Sequence, residues 1–293
     1  WGPSPKYERV TIRQIEDPTA QIQAIDNGDV QIAAGQPTAD VLQLAEALTN
    51  AEMHTGDEAT YEHIDLTFDN GGPFDPATYG GDEAKAKAVR LAFLKTIPRQ
   101  QIVDNLIKPL NENAEVRNSI LVIPGGPGYD DIVAGNGSAD FAEVDIDGAK
   151  ALLAEAGVTA PVDVKFWYPE GNVRRGQQFE LIAASAALAG FNVIDDSEPT
   201  WAFTETTTDT NPNPHDATLF AWQSTSLALT GSDQYIGTGQ PSNFGRYSNA
   251  EVDALLKDLE TELDPAKQVE IQAEIEKHTW ADGYGVTVFQ FPS

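Results

Sequence analysis

The sequence predicts an α/β fold, and three observations carry that prediction. Between Val162 and Ile194 a strand, a long helical stretch and a second strand follow one another, the order of a right-handed β-α-β unit. From Tyr61 to Phe68 the residues alternate, Tyr61, His63, Asp65 and Thr67 against Glu62, Ile64, Leu66 and Phe68, and two helical stretches follow. Near the C-terminus two capped helices lead into a closing strand, Gly285 to Phe291.

Taken in order, Tyr7 to Arg13 reads as a strand, and Asp17-Pro18 opens a helix that Asn27-Gly28 stops. Val30 to Ala33 reads as a short strand, and Thr38 or Asp40 opens a helix through Leu48. The alternation from Tyr61 is the period of a half-buried strand, broken by the turn Gly71 to Pro73. Asp82 then caps a helix whose inward face is Ala84, Ala88, Leu91 and Ala92. Pro98 takes the first position of the next helix, whose apolar face is Ile102, Leu106 and Ile107.

Asn118 to Gly137 is rich in Gly and Pro and reads as a surface loop. It lacks the Lys-Ser or Lys-Thr of a phosphate loop. Asp147 caps a helix from Ala149 to Ala156 that Gly157 ends. The β-α-β unit comprises Val162 to Tyr168, Arg174 to Ala189 with Gly190 as its stop, and Phe191 to Ile194. A polar loop from Thr204 to Asp216 precedes a short buried strand, Ala217 to Trp222. Ser248 to Glu251 spells a capping box, and Asp264-Pro265 opens the last helix, which runs to about Trp280 with Val269, Ile271, Ala273 and Ile275 available for packing.

Composition excludes several classes of function. The 293 residues include 18 basic and 46 acidic ones, a net charge of −28, which repels nucleic acid and anionic membranes. The absence of cysteine removes disulfides, thiolate metal sites and a thiol nucleophile. His54, His63, His215 and His278 have no metal-ligand spacing, and no G-x-S-x-G elbow is spelled. Asp145-Ile146-Asp147-Gly148 lacks the glycine position and later ligands of a calcium loop. No cofactor is expected.

The stretch containing Phe68-Asp69-Asn70, Pro73-Phe74-Asp75, Ala88 to Phe93 and Ile97 to Asp104 resembles the segment that opens the second lobe of family 5 solute-binding proteins of ABC importers. Pro98 replaces the usual Asp before Arg99, and several residues are inserted after Asp75. The resemblance continues through Trp1, Gly2, Pro5, Val10, Ile15, Asp17, Ala24, Gly28 and Val30, then Asp147 to Gly157, Asn243 to Asn249, Glu251 to Leu256 and Val288 to Pro292. It covers nearly the whole chain. It implies a type II lobe like that of the periplasmic binding proteins, a mixed sheet flanked by helices, with a remnant of the first lobe. The lobes would divide as residues 1–55 (first-lobe remnant), 56–285 (second lobe) and 286–293 (hinge strand). It also implies an excised part of an exported protein, periplasmic or anchored to the cell surface as a lipoprotein. Such a monomer would deliver a peptide or small molecule to a membrane permease and catalyse nothing. An oligosaccharide or other solute, or a secreted hydrolase, is the alternative.

Three loops are expected at one edge of this fold, where strand ends face a crevice. They are Phe68-Asp69-Asn70, Tyr168 to Asn172, and Trp222-Gln223-Ser224-Thr225-Ser226. Aromatics with a few hydroxyls and amides suit an extended, partly apolar ligand. Phe166 and Trp167 read as core, and Trp222 is open to either role. The resemblance implies an acid a few residues after the Trp to hold a ligand's amino end, and the next acid here is Asp233. That departure leaves a longer peptide or another solute open.

Overall fold

A computed structural model describes residues 4, 6–15, 17–34, 38–54, 56–224 and 233–292, with the side chains of 57 and 233 outside the description. The chain divides into two compact units, Trp1–Gly56 with Pro292–Ser293, and Asp57–Phe291.

In the smaller unit, α1 (Pro18–Asp26) begins where the Asp17 carboxylate accepts from the N–H of Ala20, and α2 (Ala39–Glu46) where the Thr38 hydroxyl accepts from Val41. Asn50 Nδ2 donates to Asp26 O at 2.9 Å. The strands expected at Tyr7 to Arg13 and at Val30 to Ala33 do not form. Tyr7, Val10, Ile12 and Ile32 are exposed, and among the described residues this unit offers no neighbouring strand to take up their backbone groups.

The larger unit is built on a mixed five-stranded sheet. Its elements in chain order are β1 (Asp57–Leu66), α3 (Glu83–Leu94), α4 (Arg99–Ile102), α5 (Tyr129–Val133) and α6 (Ile146–Glu155). Then follow β2 (Val162–Trp167), α7 (Val173–Ala189), β3 (Phe191–Asp195), α8 (Ala202–Thr206) and β4 (Ala217–Gln223). The chain continues with α9 (Asp233–Ile236), α10 (Ala250–Thr261), α11 (Pro265–Asp282) and β5 (Gly285–Pro292). The strand order is β3-β2-β4-β1-β5. β2 is parallel to β3 and to β4, as the β-α-β reading requires, while β1 runs antiparallel to β4. Gly190 ends α7 at φ +96°, a left-handed position that favours glycine.

The strand β1 is buried on both faces, where its alternation predicts only one. Pairing of Tyr61 with Trp222 and of His63 with Phe220 puts those four side chains on one face of the sheet. Glu62, Ile64 and Leu66 point to the other, the side on which α7 meets Glu62. The polar Glu62 survives there because Arg175 grips it from α7, Nε to Oε1 at 2.8 Å and Nη2 to Oε2 at 2.9 Å, with Gln178 Nε2 adding a third bond at 3.0 Å. Burial pushes the Glu62 pKa up, and the Arg175 charge and bonds more than offset it, so the group lies below the ordinary glutamate range.

Several caps and faces differ from expectation, each for a local reason. α3 buries Ala86, Val89, Arg90, Ala92, Phe93 and Leu94, while Ala84 is exposed and Ala88 and Leu91 are half-buried. Arg90 can join the inward face because Phe74 O and Asp282 O accept from it at 3.0 Å each, and Glu83 pairs with it. Pro98 sits at the N-cap of α4, one residue before the expected position, and α4 passes into a π-helical turn at Val103–Ile107. There Ile102, Val103 and Ile107 are buried and Leu106 only partly.

α6 is capped by Asp145, whose carboxylate accepts from Gly148 at 2.8 Å, rather than by Asp147. α10 is capped by Asn249 instead of by the Ser248 capping box. The buried side of α11 is Gln272, Ile275, Glu276, Thr279 and Trp280, with Val269, Ile271 and Ala273 at its margin. Asn118 to Gly137 is only partly a surface loop: Pro124, Gly125, Pro127, Ala134, Gly135 and Gly137 are exposed, whereas Ser119, Ile120, Leu121, Val122, Ile132 and Asn136 are buried. The polar stretch from Thr204 also goes inward, since Asn213, His215 and Asp216 are buried.

The Glu62–Arg175 pair can be tested directly. Glu62→Ala is expected to lower stability to urea by about 3–5 kcal/mol, because it strands a buried guanidinium, and replacing both residues by Met should recover most of the loss. The pH dependence has a definite sign. The folded pKa lies below the unfolded value of about 4.3, so the contribution is complete above that pH and is lost as pH falls through the folded value.

Candidate functional site

The end of β4 carries the best-formed recess near the expected residues. A cleft of about 480 Å³ opens there, lined by Thr60, Trp222, Gln223, Gln234, Tyr235 and Ser242. Its floor is aromatic. The Trp222 ring is stacked on Tyr235 with centroids 5.1 Å apart and planes 14° apart, and meets Phe220 edge-on at 5.1 Å. His63 lies parallel to Trp222 at 6.1 Å, and its Nδ1 is 2.8 Å from Asp65 Oδ1. Tyr284 Oη donates to Asp65 Oδ2 at 3.2 Å.

Behind the cleft Tyr61 Oη donates to Tyr235 Oη at 3.4 Å. Burial raises the pKa values of both Tyr61 and Tyr284 well above the usual tyrosine value, and neighbouring acidic and phenolic groups add to it, so both hydroxyls keep their protons. The cleft thus offers ring faces, amides and hydroxyls, and none of its named lining side chains is charged. Such a surface suits an extended polar molecule, through hydrogen bonds and stacking.

Arg117 fixes the strand ends that frame this cleft. Its guanidinium lies 3.7 Å from the Tyr61 ring centroid, and Nη1 donates to Ser224 Oγ at 3.0 Å and to Gln290 Oε1 at 2.7 Å. Gln290 Nε2 in turn donates to Thr60 O at 3.0 Å and to Glu58 O, which joins β5 to β1.

The loops after β2 and β4 leave the sheet at the same end, since those strands are parallel, but the first expected loop does not join them. In the antiparallel register Thr60 faces Gln223 and Leu66 faces Ala217. Phe68-Asp69-Asn70 therefore leaves β1 at the end opposite Trp222, about 20 Å away at about 3.3 Å per residue. There the residues have structural work. Phe68 lies under the Arg90 guanidinium at 4.3 Å, and Asn70 Nδ2 donates to Asp216 Oδ1 at 3.0 Å and to His215 O at 3.2 Å. Asp69 is exposed.

Of the second loop, Tyr168 is buried against Phe179 and donates to Asp195 Oδ2 at 3.0 Å, and the Asn172 side chain caps α7 by accepting from Arg175 N at 3.0 Å. Of the third, Trp222 and Gln223 line the cleft, whereas Ser224 is buried and occupied by Arg117. Thr225 and Ser226 lie outside the described residues, and Asp233 is placed only as the first residue of α9. Phe166 and Trp167 are core. Sequence patterning does not point to Thr60, Gln234, Tyr235, Ser242 or Arg117 as site residues. The signal for Thr60 is its position one residue before Tyr61, at the start of the same alternation; nothing local marks the others.

Among the described residues, no three or more His, Asp or Glu side chains gather in a group able to hold a metal ion. The sequence matches the family model for bacterial extracellular solute-binding proteins, family 5, over residues 1–241. The chain belongs to that family. It is 24% identical over 298 residues to the oligopeptide-binding protein OppA of Mycobacterium tuberculosis, and equally to that of Mycobacterium bovis, matching 100% of this chain and 48% of each relative. The chain thus spans about half the length of the curated relatives it matches.

Among solved structures, a periplasmic EDTA-binding protein, EppA, superposes with TM-score 0.80 at 18% identity, over 95% of this chain and 52% of that one. The oligopeptide-binding protein AppA of Bacillus subtilis, solved with a nonapeptide, gives TM-score 0.69 at 18% identity, over 95% of this chain and 53% of that one. These likenesses establish the fold as that of the type II periplasmic binding proteins. The relatives carry the names of binding proteins, not of enzymes.

Trp222 is both wall and packing: half-buried, it touches the rings of His63, Phe220, Tyr235 and Phe244. Trp222→Ala is therefore expected to cost about 2–3 kcal/mol in chemical denaturation, below the roughly 3–5 of a fully buried Trp. Trp222→Phe, which keeps a ring over Tyr235, should lose less than half of that.

Proposed function

We propose that this chain is one jaw of a hinged clamp that binds an extracellular solute, most plainly a peptide, and presents it to an ABC permease. The other jaw would come from the rest of the protein, since the chain spans half of its relatives. The observation that carries the reading is the cleft at the end of β4, where stacked Trp222 and Tyr235 lie beside the amides of Gln223 and Gln234 and the hydroxyls of Thr60 and Ser242. Backbone amides of an extended peptide find donors and acceptors there, and its side chains find ring faces. The names of the mycobacterial and Bacillus relatives support a peptide over other solutes. The stacked aromatic pair would also take a sugar ring, so an oligosaccharide is the second reading.

In this reading the protein is a monomer outside the cytoplasmic membrane, periplasmic or anchored at the cell surface as a lipoprotein, with no cofactor and no reaction of its own. Among the described residues, no helix is long and apolar enough to cross a membrane. Residues 1–55 would belong to the first lobe, 56–285 would form the second, and 286–293 would return as a hinge strand. Ligand would shift the population of open and closed forms, and the closed form would engage the permease.

Native mass spectrometry of the intact protein, purified without denaturation, should reveal retained peptide; a retained carbohydrate would favour the second reading. The identified cargo then allows a comparison by calorimetry. If the other jaw supplies about 150 Å² of apolar contact, at roughly 25 cal/mol per Å² it contributes about 4 kcal/mol. This 293-residue chain alone should then bind the cargo nearly three orders of magnitude more weakly than the intact protein. Equal affinities would remove the clamp.

A further inference from the structure

Glu276 is a carboxylate with no exposed surface, placed on α11, and its direct hydrogen-bond partners among the described residues are neutral. Three donors converge on it. Oε1 accepts from Leu121 N at 2.9 Å and from Ser119 Oγ, and Oε2 accepts from Asn136 Nδ2 at 2.7 Å. All three belong to the segment between Arg117 and Ser138, and that segment is tied into itself as well. Asn136 Nδ2 also donates to Asn118 O at 2.8 Å, and Ser119 Oγ accepts from Val122 N at 2.9 Å.

The same segment reaches the Trp222 cleft from behind. Ile120 lines the crevice between His63 and Trp222. Arg117 Nε donates to Ser119 O at 2.6 Å and Nη2 to Ile120 O at 3.1 Å, so the carbonyls that aim the guanidinium are that of Ser119 and that of the Ile120–Leu121 peptide, whose N–H Glu276 accepts. From Arg117 the chain of contacts ends on Ser224, the residue after Gln223. A continuous run of hydrogen bonds thus leads from a buried acid on α11 to the wall of the cleft.

We propose that Glu276 is a positioning residue for the solute site. Its carboxyl group holds Ser119 and Leu121, these aim Arg117, and Arg117 sets Ser224 and with it the cleft wall at Trp222 and Gln223. The inference rests on the reading of that cleft as the binding site. The bonds suit a group that only accepts: an amide in its place sets an NH2 against Leu121 N or Asn136 Nδ2, and a protonated acid meets Ser119 Oγ as a donor, turning that hydroxyl's own hydrogen away.

The groups facing Glu276 define how it responds to pH. They are Ser119, Leu121 N and Asn136, with Arg117 and Tyr129 at longer range. Burial pushes the Glu276 pKa up against the opposing effect of its three hydrogen bonds and Arg117. An acid whose folded pKa exceeds its unfolded one takes up a proton in the folded state first, so its contribution to stability rises as pH falls through the folded value. Order at the cleft moves the other way, because protonation turns one acceptor oxygen into a donor and redraws the bonds that hold this segment. Stability and binding separate, and a purely structural group would not separate them.

The test uses the intact protein labelled with 5-fluorotryptophan, its Trp222 resonance assigned with Trp222→Phe, and a random-sequence pentapeptide library as the probe. Glu276→Gln imitates the protonated acid. It should shift the Trp222 fluorine resonance, weaken retention of the peptides at least tenfold, and leave the melting temperature equal or higher. Lowering the pH of the unsubstituted protein should move the same resonance in the same direction. An unmoved resonance with unchanged retention overturns the proposal, as does weakened retention that follows only from a fall in melting temperature. If Glu276→Gln does not fold, Ser119→Ala removes one of the three donors and is read by the same two signals. A protein that retains no pentapeptide but shows the Trp222 shift refutes the peptide reading and leaves the positioning role standing.

Discussion

The larger unit depends on what Arg117 does with a buried positive charge. Its guanidinium has almost no contact with water, and burial lowers its pKa from the usual arginine value. Its direct hydrogen-bond partners are neutral: the carbonyls of Ser119 and Ile120, the Ser224 hydroxyl, the Gln290 amide oxygen, with the face of Tyr61 beneath. An unpaired cation inside a protein costs several kcal/mol unless its donors are met, so these partners are held in place by the penalty for losing them. They come from β1, the end of β4, β5 and the segment before α5. One side chain therefore fixes three adjacent strand ends.

Strand direction then separates the two ends of the sheet. Because β1 and β4 are antiparallel, the conspicuous Phe68-Asp69-Asn70 and the conspicuous Trp222-Gln223 fall at opposite ends of the sheet. The Phe68 end is closed by its own hydrogen bonds, with Thr67 Oγ1 donating to His215 O at 2.7 Å and Phe68 N to Gly245 O at 2.8 Å. Gly245 permits that approach, since a side chain there would start 2.3 Å from Leu66 O. The Trp222 end keeps an open cleft. A single sheet thus has one end spent on closure and one available for recognition.

Local chemistry makes much of the fold legible. Asp17, Asp82 and Asp264 cap helices as their sequence contexts indicate, and Gly190 stops one. The β-α-β unit follows from periodicity alone. What stays hidden is whatever depends on distant partners. Ser119, Asn136, Glu62, Arg90 and Glu276 are polar, and polarity alone places them at the surface; each is buried because a complementary group far along the chain meets it. The site is hidden in the same way. Residue type is enough to nominate Trp222 and Gln223, which line the cleft, but Tyr168, Asn172 and Ser224 have similar types and make hydrogen bonds within the fold. Which strand ends are neighbours is set by register, and no single segment encodes it.

The central claim is that solute binds at the Trp222 end of the sheet, and amide hydrogen exchange on the intact protein tests it most directly. The protein purified with its cargo should be compared with the same protein stripped by unfolding and refolding. The account predicts slower exchange with cargo across Ala221 to Ser224 and at Thr60, and no change from Phe68 to Gly72. Protection gained at Phe68 to Gly72, with none at Trp222 and Gln223, would contradict it.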